Sequence, residues 1–392
     1  MVSRNVLVFT ENSRAFGKGV ISGIARYAKV HGSWDFFTTP GPFEQQADIE
    51  EYLQYLEKSG IDGIITRVLP VPQMQHMIRL NVPIITIPHM QEFPHNLPHR
   101  MVTNCEAIAQ MAAEYYIDRG FKNFACSGFS SRFWAQNRKR FFQERLEKEG
   151  FLLNTYNIPE RTEGYDWIGE WEKLARWLKQ LPKPTALFAD NDDCGLQVIE
   201  ACRHADIKVP EEISIMGVDN DHLVCELSCT GLSSVVLATV QAGYEAAELL
   251  ERLMEGEQVP DTTIVIQPKR IVTRASSDIF AINDPKVARA MQYIRKNSRA
   301  NIKVEDVAKA AMSSRRVLER SFKRILGTTI GEEIKRQRVE QICELLIGTD
   351  LSIREIAEIT DFETSKHISR YFSQIKGMNL QEFRKAFGKS AR

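Results

Sequence analysis

The sequence lacks any hydrophobic run long enough to cross a membrane. Its first apolar stretch, residues 6–9, is too short for a secretion signal and predicts a buried strand instead. With 43% hydrophobic and 26% charged residues, the composition is typical of a soluble globular protein. We therefore expect no membrane partner and a cytoplasmic location.

Cysteine is scarce and scattered. Seven cysteines occur in 392 residues without a C-x-x-C pair, and an odd number fits a reducing compartment better than a disulfide framework. The nearest pair, Cys225 and Cys229, has no second pair or histidine cluster to complete a tetrahedral metal site. We predict thiols in the core or on the surface, with no metal and no cofactor.

The motifs of common enzymes are also absent, namely G-x-S-x-G, H-E-x-x-H and a Walker-type phosphate loop. His89, His95 and His99 could ligate a metal, but their irregular spacing in a proline-rich stretch favours a surface loop. An exported sugar-binding receptor is the alternative of another class, and the missing secretion signal and the free cysteines argue against it. We expect a protein that is not an enzyme.

Charge is distributed unevenly along the chain. Residues 1–284 contain 38 acidic and 28 basic side chains, whereas residues 285–392 contain 13 acidic and 23 basic ones. A basic surface can simply aid solubility, but it also attracts a polyanion such as DNA, because neutralised phosphates release their counterions. The C-terminal part is therefore the candidate DNA-binding module.

The N-terminal part, residues 1–276, alternates short apolar runs with longer amphipathic ones, which predicts parallel strands joined by crossover helices. We expect two doubly wound, Rossmann-like lobes in succession, divided near residues 110 and 240, with a ligand cleft between them. The strands are predicted at residues 6–9, 63–65, 83–87, 123–126, 186–189 and 214–218.

Strand patterns stop after a polar linker at residues 277–284, and residues 285–388 are predicted to be all-α. Asp284 should cap the first helix, with Pro285 at its first position. A domain boundary is therefore expected at this linker.

Two helix-turn-helix patterns occur in this second domain, at about residues 303–325 and 353–376. The helix at 330–346 between them should fix their separation, which reading two turns of one DNA face requires. A plain helical bundle is the alternative, and the basic charge disfavours it. The residues expected to face DNA from the start of each second helix are Ser314, Arg315, Arg316, Glu319, Thr364, Ser365, Lys366 and His367.

The apolar faces of this domain are predicted from the same periodicity. The residues expected to close the first unit are Val307, Ala308, Ala311, Val317, Leu318 and Phe322. The residues of the connecting helix expected to pack on both units are Ile334, Val339, Ile342 and Leu345.

Residues 321–327, Phe372 and Gly377 make the last hundred residues resemble the AraC/XylS-type DNA-binding domain. The resemblance implies that Arg320 and Arg370 hold phosphates or support the recognition helices. Leu380 replaces a proline of the family, and His367 occupies a place that is often aromatic, so helix capping there should differ.

Residues 184–220 resemble the core of LacI regulators and periplasmic sugar-binding proteins, which implies a two-lobed sensor. Asn191 and Asp192 follow one predicted strand and Asp219 follows the next, so they should lie at the cleft, where carboxylates can accept hydroxyl hydrogen bonds. A residue at such a place can instead cap a helix. The cleft is the expected sugar site.

By the same resemblance, Arg138 is a donor to sugar oxygens and Phe16 is an aromatic wall, while Asn104 stands where relatives usually have aspartate. Trp134 is a further candidate for the sugar site. Phe16 and Trp134 could equally be core residues.

A DNA-binding domain that follows the sensor resembles the family of xylose-operon regulators. This resemblance implies D-xylose as effector, promoter DNA and RNA polymerase as partners, a homodimer, and activation of sugar-catabolic genes. Another monosaccharide, or repression, remains an alternative. We expect a sugar-responsive transcription regulator.

Overall fold

The computed structural model describes residues 3–38, 46–69, 71–87, 97–159, 166–282 and 284–387. The chain forms two compact units, Met1–Asp278 and Ile279–Arg392. The first is α/β with two sheets and the second is all-α, so the predicted fold class is confirmed.

The first lobe of the first unit has a six-stranded parallel sheet in the order β11-β5-β4-β3-β1-β2. Its strands are β1 (Arg4–Phe9), β2 (Trp34–Thr38), β3 (Gly63–Arg67), β4 (Ile84–Ile87), β5 (His99–Thr103) and β11 (Thr263–Ile266). Its helices are α1 (Ala15–His31), α2 (Gln46–Lys58), α3 (Val71–Arg79) and α9 (Thr239–Met254).

The second lobe has a six-stranded sheet in the order β12-β10-β9-β8-β6-β7, which is parallel except for β12. Its strands are β6 (Asn123–Phe129), β7 (Leu153–Ile158), β8 (Thr185–Ala189), β9 (Ile213–Val218), β10 (Ser233–Leu237) and β12 (Pro268–Val272). Its helices are α4 (Cys105–Ile117), α5 (Phe133–Glu147), α6 (Trp167–Gln180), α7 (Asp192–His204) and α8 (His222–Leu227).

The chain passes between these lobes three times, not twice. The first two passages, at β5 to α4 and β10 to α9, lie near the predicted divisions. The third separates β11 from β12 by the single residue Gln267, and the sequence prediction missed it. The lobes are therefore interleaved along the chain, and the carboxyl ends of the parallel strands border one cleft.

Helices α1 and α9 pack backbone against backbone at Gly23 and Gly243. A Cβ atom built on Gly23 would lie 2.0 Å from the Val240 carbonyl oxygen, and one on Gly243 would lie 2.1 Å from that of Val20. Glycine is required at both positions because no side chain fits between the two backbones. This contact holds α1, whose N-terminus borders the cleft, against the first lobe.

The second unit consists of seven described helices around two cores. The helices are α10 (Pro285–Lys296), α11 (Val304–Ala310), α12 (Arg315–Leu326), α13 (Ile330–Gly348), α14 (Ile353–Ile359), α15 (Ser365–Lys376) and α16 (Leu380–Phe387). Asp284 caps α10 through the amides of Lys286 and Val287, as predicted.

The first core includes Leu318 and Phe322, and the second includes Ile368 and Phe372. Ile334 of α13 packs against the first core. Val339, Ile342 and Leu345 of the same helix pack against the second.

Two local predictions are wrong. Val317 is 45% exposed and does not close the first helix-turn-helix core. His99 is buried in β5 rather than in a surface loop, while His89 and His95 lie outside the described residues. A helix keeps its amphipathic period even when one apolar residue, here Val317, lies on the exposed face. The strand β5 begins with the polar residues His99 and Arg100, so its hydrophobic pattern is weak.

Candidate effector cleft and DNA-reading surface

A cavity of about 690 Å³ lies between the two lobes of the first unit, a size within the usual range for small-molecule sites. It is lined by residues at the ends of strands and starts of helices from both lobes. All seven predicted effector residues line it, namely Phe16, Asn104, Trp134, Arg138, Asn191, Asp192 and Asp219.

Arg138 on α5 lines this cavity and is 2% exposed. Its guanidinium donates to the Asp190 carbonyl oxygen, lies 3.8 Å from Asp219 Oδ1, and lies 4.9 Å from the Trp134 ring centroid. The buried Nε makes no hydrogen bond within the described part of the chain. The guanidinium of Arg138 is thus a hydrogen-bond donor that lies close to both the Asp219 carboxyl group and the Trp134 ring.

Asp219 follows β9 and has a left-handed backbone with φ of 102°, which is unfavourable for a residue with a side chain. Its side chain is 19% exposed, and Oδ1 has no hydrogen-bond donor among the described residues. Burial raises the pKa of Asp219 to about 7, although Arg138 acts in the opposite direction. Asp219 therefore lies at the cavity with one buried carboxylate oxygen that the described residues leave without a hydrogen bond.

Two other predicted residues, Asn191 and Asn104, cap helices at the cavity. Asn191 caps α7 by accepting the Cys194 amide at 2.9 Å. Asn104 caps α4 by accepting the Ala107 amide at 3.0 Å, and its amide nitrogen donates to Gln267 Oε1 at 2.9 Å. The helix-cap alternative therefore holds for both asparagines.

Asp192 is 2% exposed, and its two oxygens accept the Asp221 amide at 2.6 Å and the Ser234 hydroxyl at 2.5 Å. Burial raises its pKa well above the usual range, and nearby Asp219 adds to the rise. Asp192 thus holds the loop after β9 in place, and this loop carries Asp219.

The sequence reasoning missed several residues at the cavity or beside it. Asp190 directly follows β8, is 2% exposed, and has a pKa that burial raises to about 8 against the effect of Arg138. Arg67 ends β3, and Asn137 precedes Arg138 on α5; both line the cavity. Their positions at strand ends, or beside a candidate on the same helix, were the available signal.

A clasp formed by Arg14, Asp193, Ala15 and Asp221 joins the lobes at the edge of this cavity. Arg14 Nε and Nη2 each lie 2.9 Å from an oxygen of Asp193. Asp221 Oδ2 accepts the Ala15 amide at 2.7 Å, while its Oδ1 caps α8. The clasp therefore links the starts of α1, α7 and α8, and it is an element that cleft opening would have to break.

The first recognition helix, α12, starts with a cap rather than a free hydroxyl, because Ser314 Oγ accepts the Val317 amide. Arg315 is bound to Glu305 at 2.5 Å and to Glu319 at 2.8 Å. Arg316 and Arg320 are exposed. Of the predicted residues of this helix, these two arginines therefore offer the most accessible charge.

The second recognition helix, α15, is arranged similarly. Thr364 caps it by accepting the His367 amide at 3.1 Å. Ser365 is partly exposed, whereas Lys366, His367 and Arg370 are exposed. The His367 ring meets Phe362 edge-on at 5.5 Å. Both helices thus present their basic side chains outward, as a DNA-reading surface requires.

The replacement of proline by Leu380 leaves α16 well capped. The Asn379 amide donates to Glu382, and Asn379 Oδ1 accepts the Glu382 amide at 2.8 Å. Leu380 itself is buried in the second core. The departure from the family pattern therefore changes how this helix starts but not whether it forms.

Within the described ranges there is no cluster of three or more metal-ligating side chains and no helix long and apolar enough to span a membrane. None of the seven cysteines, all of which the structure describes, forms a disulfide bond, and five of them are buried.

Two domain families match this chain. Residues 113–277 match the periplasmic binding protein-like domain, and residues 307–386 match a helix-turn-helix domain. Each match covers part of one of the two structural units described above.

The chain is similar over nearly its whole length to two proteins named xylose operon regulatory protein. That of Escherichia coli strain K12 is 31% identical over 387 residues, covering 97% of this chain and 96% of that protein. That of Haemophilus influenzae is also 31% identical, covering 96% of this chain and 97% of that protein.

A solved structure described as the xylose-binding transcription activator xylR is 28% identical, with a TM-score of 0.61 over 99% of this chain and all of that one. These relatives are regulators, which confirms the expectation that the protein is not an enzyme. The chain belongs to the family of xylose operon regulatory proteins, which are DNA-binding transcription regulators.

Proposed function

We propose that this protein is a D-xylose-dependent transcription activator, in which sugar binding between the lobes of the first unit controls promoter binding by the second. The observation that carries the effector site is the buried Arg138–Asp219 pair beside Trp134. A sugar needs hydroxyl acceptors, donors and a ring to stack on, and these three side chains supply all of them at one wall of the cavity. The choice of xylose is supported by the names of the relatives.

In this proposal, D-xylose donates hydroxyl hydrogens to Asp219 and accepts from the guanidinium of Arg138. Phe16 and Trp134 cover the apolar faces of the sugar. Asn104, Asn191 and Asp192 act mainly by holding the helix starts and the loop around it. Sugar then favours the closed cleft, because a ligand shifts an equilibrium only toward the state that it binds more tightly.

The second unit is proposed to read two half-sites of promoter DNA. Arg316 and Arg320 on α12, with Lys366 and Arg370 on α15, would contact phosphates or base edges. Ser314 and Thr364 would contribute through helix starts, where backbone amides point toward a bound phosphate. Glu319 would hold Arg315 in place beside them.

The test is a sugar panel with purified full-length protein. D-Xylose should raise the melting temperature of the protein, because it binds the native state, while L-xylose, D-ribose and D-glucose should have little effect. A response to another sugar alone would replace the effector but keep the regulator. No response to any of them would contradict a monosaccharide effector.

Asp219→Asn removes the carboxylate charge but keeps the shape, and we expect calorimetry to show a loss of roughly 10- to 100-fold in D-xylose affinity. Asp206→Asn is the matched control, since Asp206 is exposed, lies outside the cavity lining and also has a left-handed backbone, with φ of 58°. Equal affinity in both variants would remove Asp219 from the site.

Activation is proposed to act through a homodimer in the cytoplasm that contacts RNA polymerase from the promoter. Light scattering in solution should give twice the mass of the chain. Transcription reconstituted with polymerase should rise when D-xylose is added, and a fall would identify a repressor.

A further inference from the structure

The two helix-turn-helix motifs of the second unit have separate hydrophobic cores. Packing within each core therefore does not fix the orientation of one motif relative to the other. The helix α13 joins them and, at 19 residues, is roughly 28 Å long. This helix fixes the distance between the two helix-turn-helix motifs, but each motif can still rotate relative to the other unless further contacts prevent it. Contacts between the segment before α11 and the turn between α14 and α15 restrict this rotation.

Arg338 on α13 provides one anchor. It is 7% exposed, and its Nη2 donates to the carbonyl oxygens of Thr360 and Asp361, both at 2.8 Å. The guanidinium also lies 3.8 Å from the Phe362 ring centroid. These contacts fix the turn between α14 and α15 against the middle of α13.

Asn301, which precedes α11 of the first helix-turn-helix, reaches the same turn. Its backbone amide donates to Asp361 Oδ2 at 3.1 Å, and its side-chain oxygen lies 3.4 Å from Arg338 Nη1. Arg299 Nε lies 3.2 Å from Gln341 Oε1 on α13, close to these residues in sequence. The first helix-turn-helix is thereby tied to the turn that precedes the recognition helix of the second helix-turn-helix.

We infer that Asn301, Asp361 and Arg338 form a bridge that fixes the angle between α12 and α15 and thus makes DNA affinity depend on the spacing of the two half-sites. The inference rests on the proposed reading of DNA by both units. A stiff pair of binding modules has a high effective concentration at one spacing and a low one elsewhere, whereas a loosely joined pair tolerates several. The bridge is a positioning device and touches no DNA itself.

The two turns offer a matched pair of substitutions. Asp361 has φ of 55° in the second turn, and Met312 has φ of 50° in the first. Met312 is 80% exposed, and its side chain is not part of the bridge. Glycine adopts this conformation readily, so Asp361→Gly and Met312→Gly both preserve their turns, but only the former removes a bridging group.

The experiment compares the full-length wild type, the double variant Asn301→Ala with Asp361→Gly, and Met312→Gly. The probe is a duplex selected from a random pool by the wild-type protein, used as selected and with two base pairs inserted between the half-sites. We expect the insertion to weaken wild-type and Met312→Gly binding about tenfold, but to weaken the double variant about threefold or less. Arg338→Lys, which keeps the charge but loses the planar fork, should also lessen the penalty.

An insertion penalty as large in the double variant as in the wild type would overturn the bridge. A footprint that covers one half-site in the wild type would instead overturn the two-unit reading on which the bridge rests. Melting curves of the variants show whether each variant is folded. We expect the double variant to fold, because Arg338 and its bonds to the turn carbonyls remain.

Discussion

Arg138 in the first unit is 2% exposed and lies 3.8 Å from Asp219. Arg316, Arg320 and Arg370 in the second unit are instead exposed to solvent. Buried charges require partners with defined geometry, since removing one leaves the other unpaired in a medium of low polarity. Exposed charges act additively, each neutralising about one phosphate. Single substitutions should therefore have large effects in the cleft and graded effects on the recognition helices.

The largest effect is expected for Arg138→Met. The variant leaves Asp219 without its counterion and removes the proposed sugar donor, so D-xylose affinity should fall roughly 100-fold, or about 3 kcal/mol. Calorimetry measures it, with Arg145→Met on the same helix as control, because Arg145 pairs with Glu114 and Glu149 outside the cavity lining. A D-xylose affinity of Arg138→Met within a factor of two of wild type would contradict a large effect of single substitutions in the cleft.

The next effect concerns pH. Burial raises the pKa of Asp219 to about 7, so the side chain is protonated below that pH in the sugar-free protein. If D-xylose binds the carboxylate form, its affinity is fully present above pH 7 and should fall about tenfold between pH 8 and pH 6. Calorimetry at both pH values should give this slope in the wild type but a flatter one in Asp219→Asn. A slope that persists in the variant would assign it to another group.

A smaller and uniform effect is expected for Arg370→Ala. DNA affinity should fall about fivefold at moderate salt, and the slope of its logarithm against the logarithm of salt concentration should decrease by about one. Fluorescence anisotropy over a salt series measures both. Lys296→Ala, an exposed change on α10 outside both helix-turn-helix units, should leave the slope unchanged. Equal slopes for wild type and Arg370→Ala would show that Arg370 does not contact phosphate.

The smallest effect is expected for Arg14→Ala, which breaks the ion pair of the clasp. The two side chains are 50% and 30% exposed, so the pair contributes well under 1 kcal/mol, and D-xylose affinity should fall about two- to threefold. Stopped-flow measurements should show faster sugar release, because an open cleft is reached more readily. Arg26→Ala, an exposed change on α1, the helix that Arg14 precedes, is the control. An unchanged release rate would exclude the clasp from closure.

The same contrast explains what could be predicted from the sequence. The positions of Asn191, Asp192 and Asp219 follow from the rule that parallel strands end at one edge, and all three line the cavity. Arg138 and Phe16 lie on helices and were found by family resemblance. The roles within the set were harder: Asp192 is held by Ser234, 42 residues away, and no local pattern reports such a contact.

The strands show a similar limit. The buried runs β1, β3, β4, β6, β8 and β9 were predicted, because they are continuous and apolar. Strands β2, β5, β7, β10, β11 and β12 were missed, since they lie at sheet edges or next to them and carry polar or exposed side chains. The helical unit was predicted more fully, because its caps and periodicity are local in sequence.

We expect sugar binding in the cleft and DNA binding by the recognition helices to be energetically coupled. The direct test is to titrate D-xylose into the full-length protein alone and into its complex with the selected duplex. Coupling is reciprocal, so sugar should bind the complex more tightly by the same factor, on the order of tenfold, by which it strengthens DNA binding. Identical sugar affinities with and without DNA would contradict the account, even if each ligand binds where proposed.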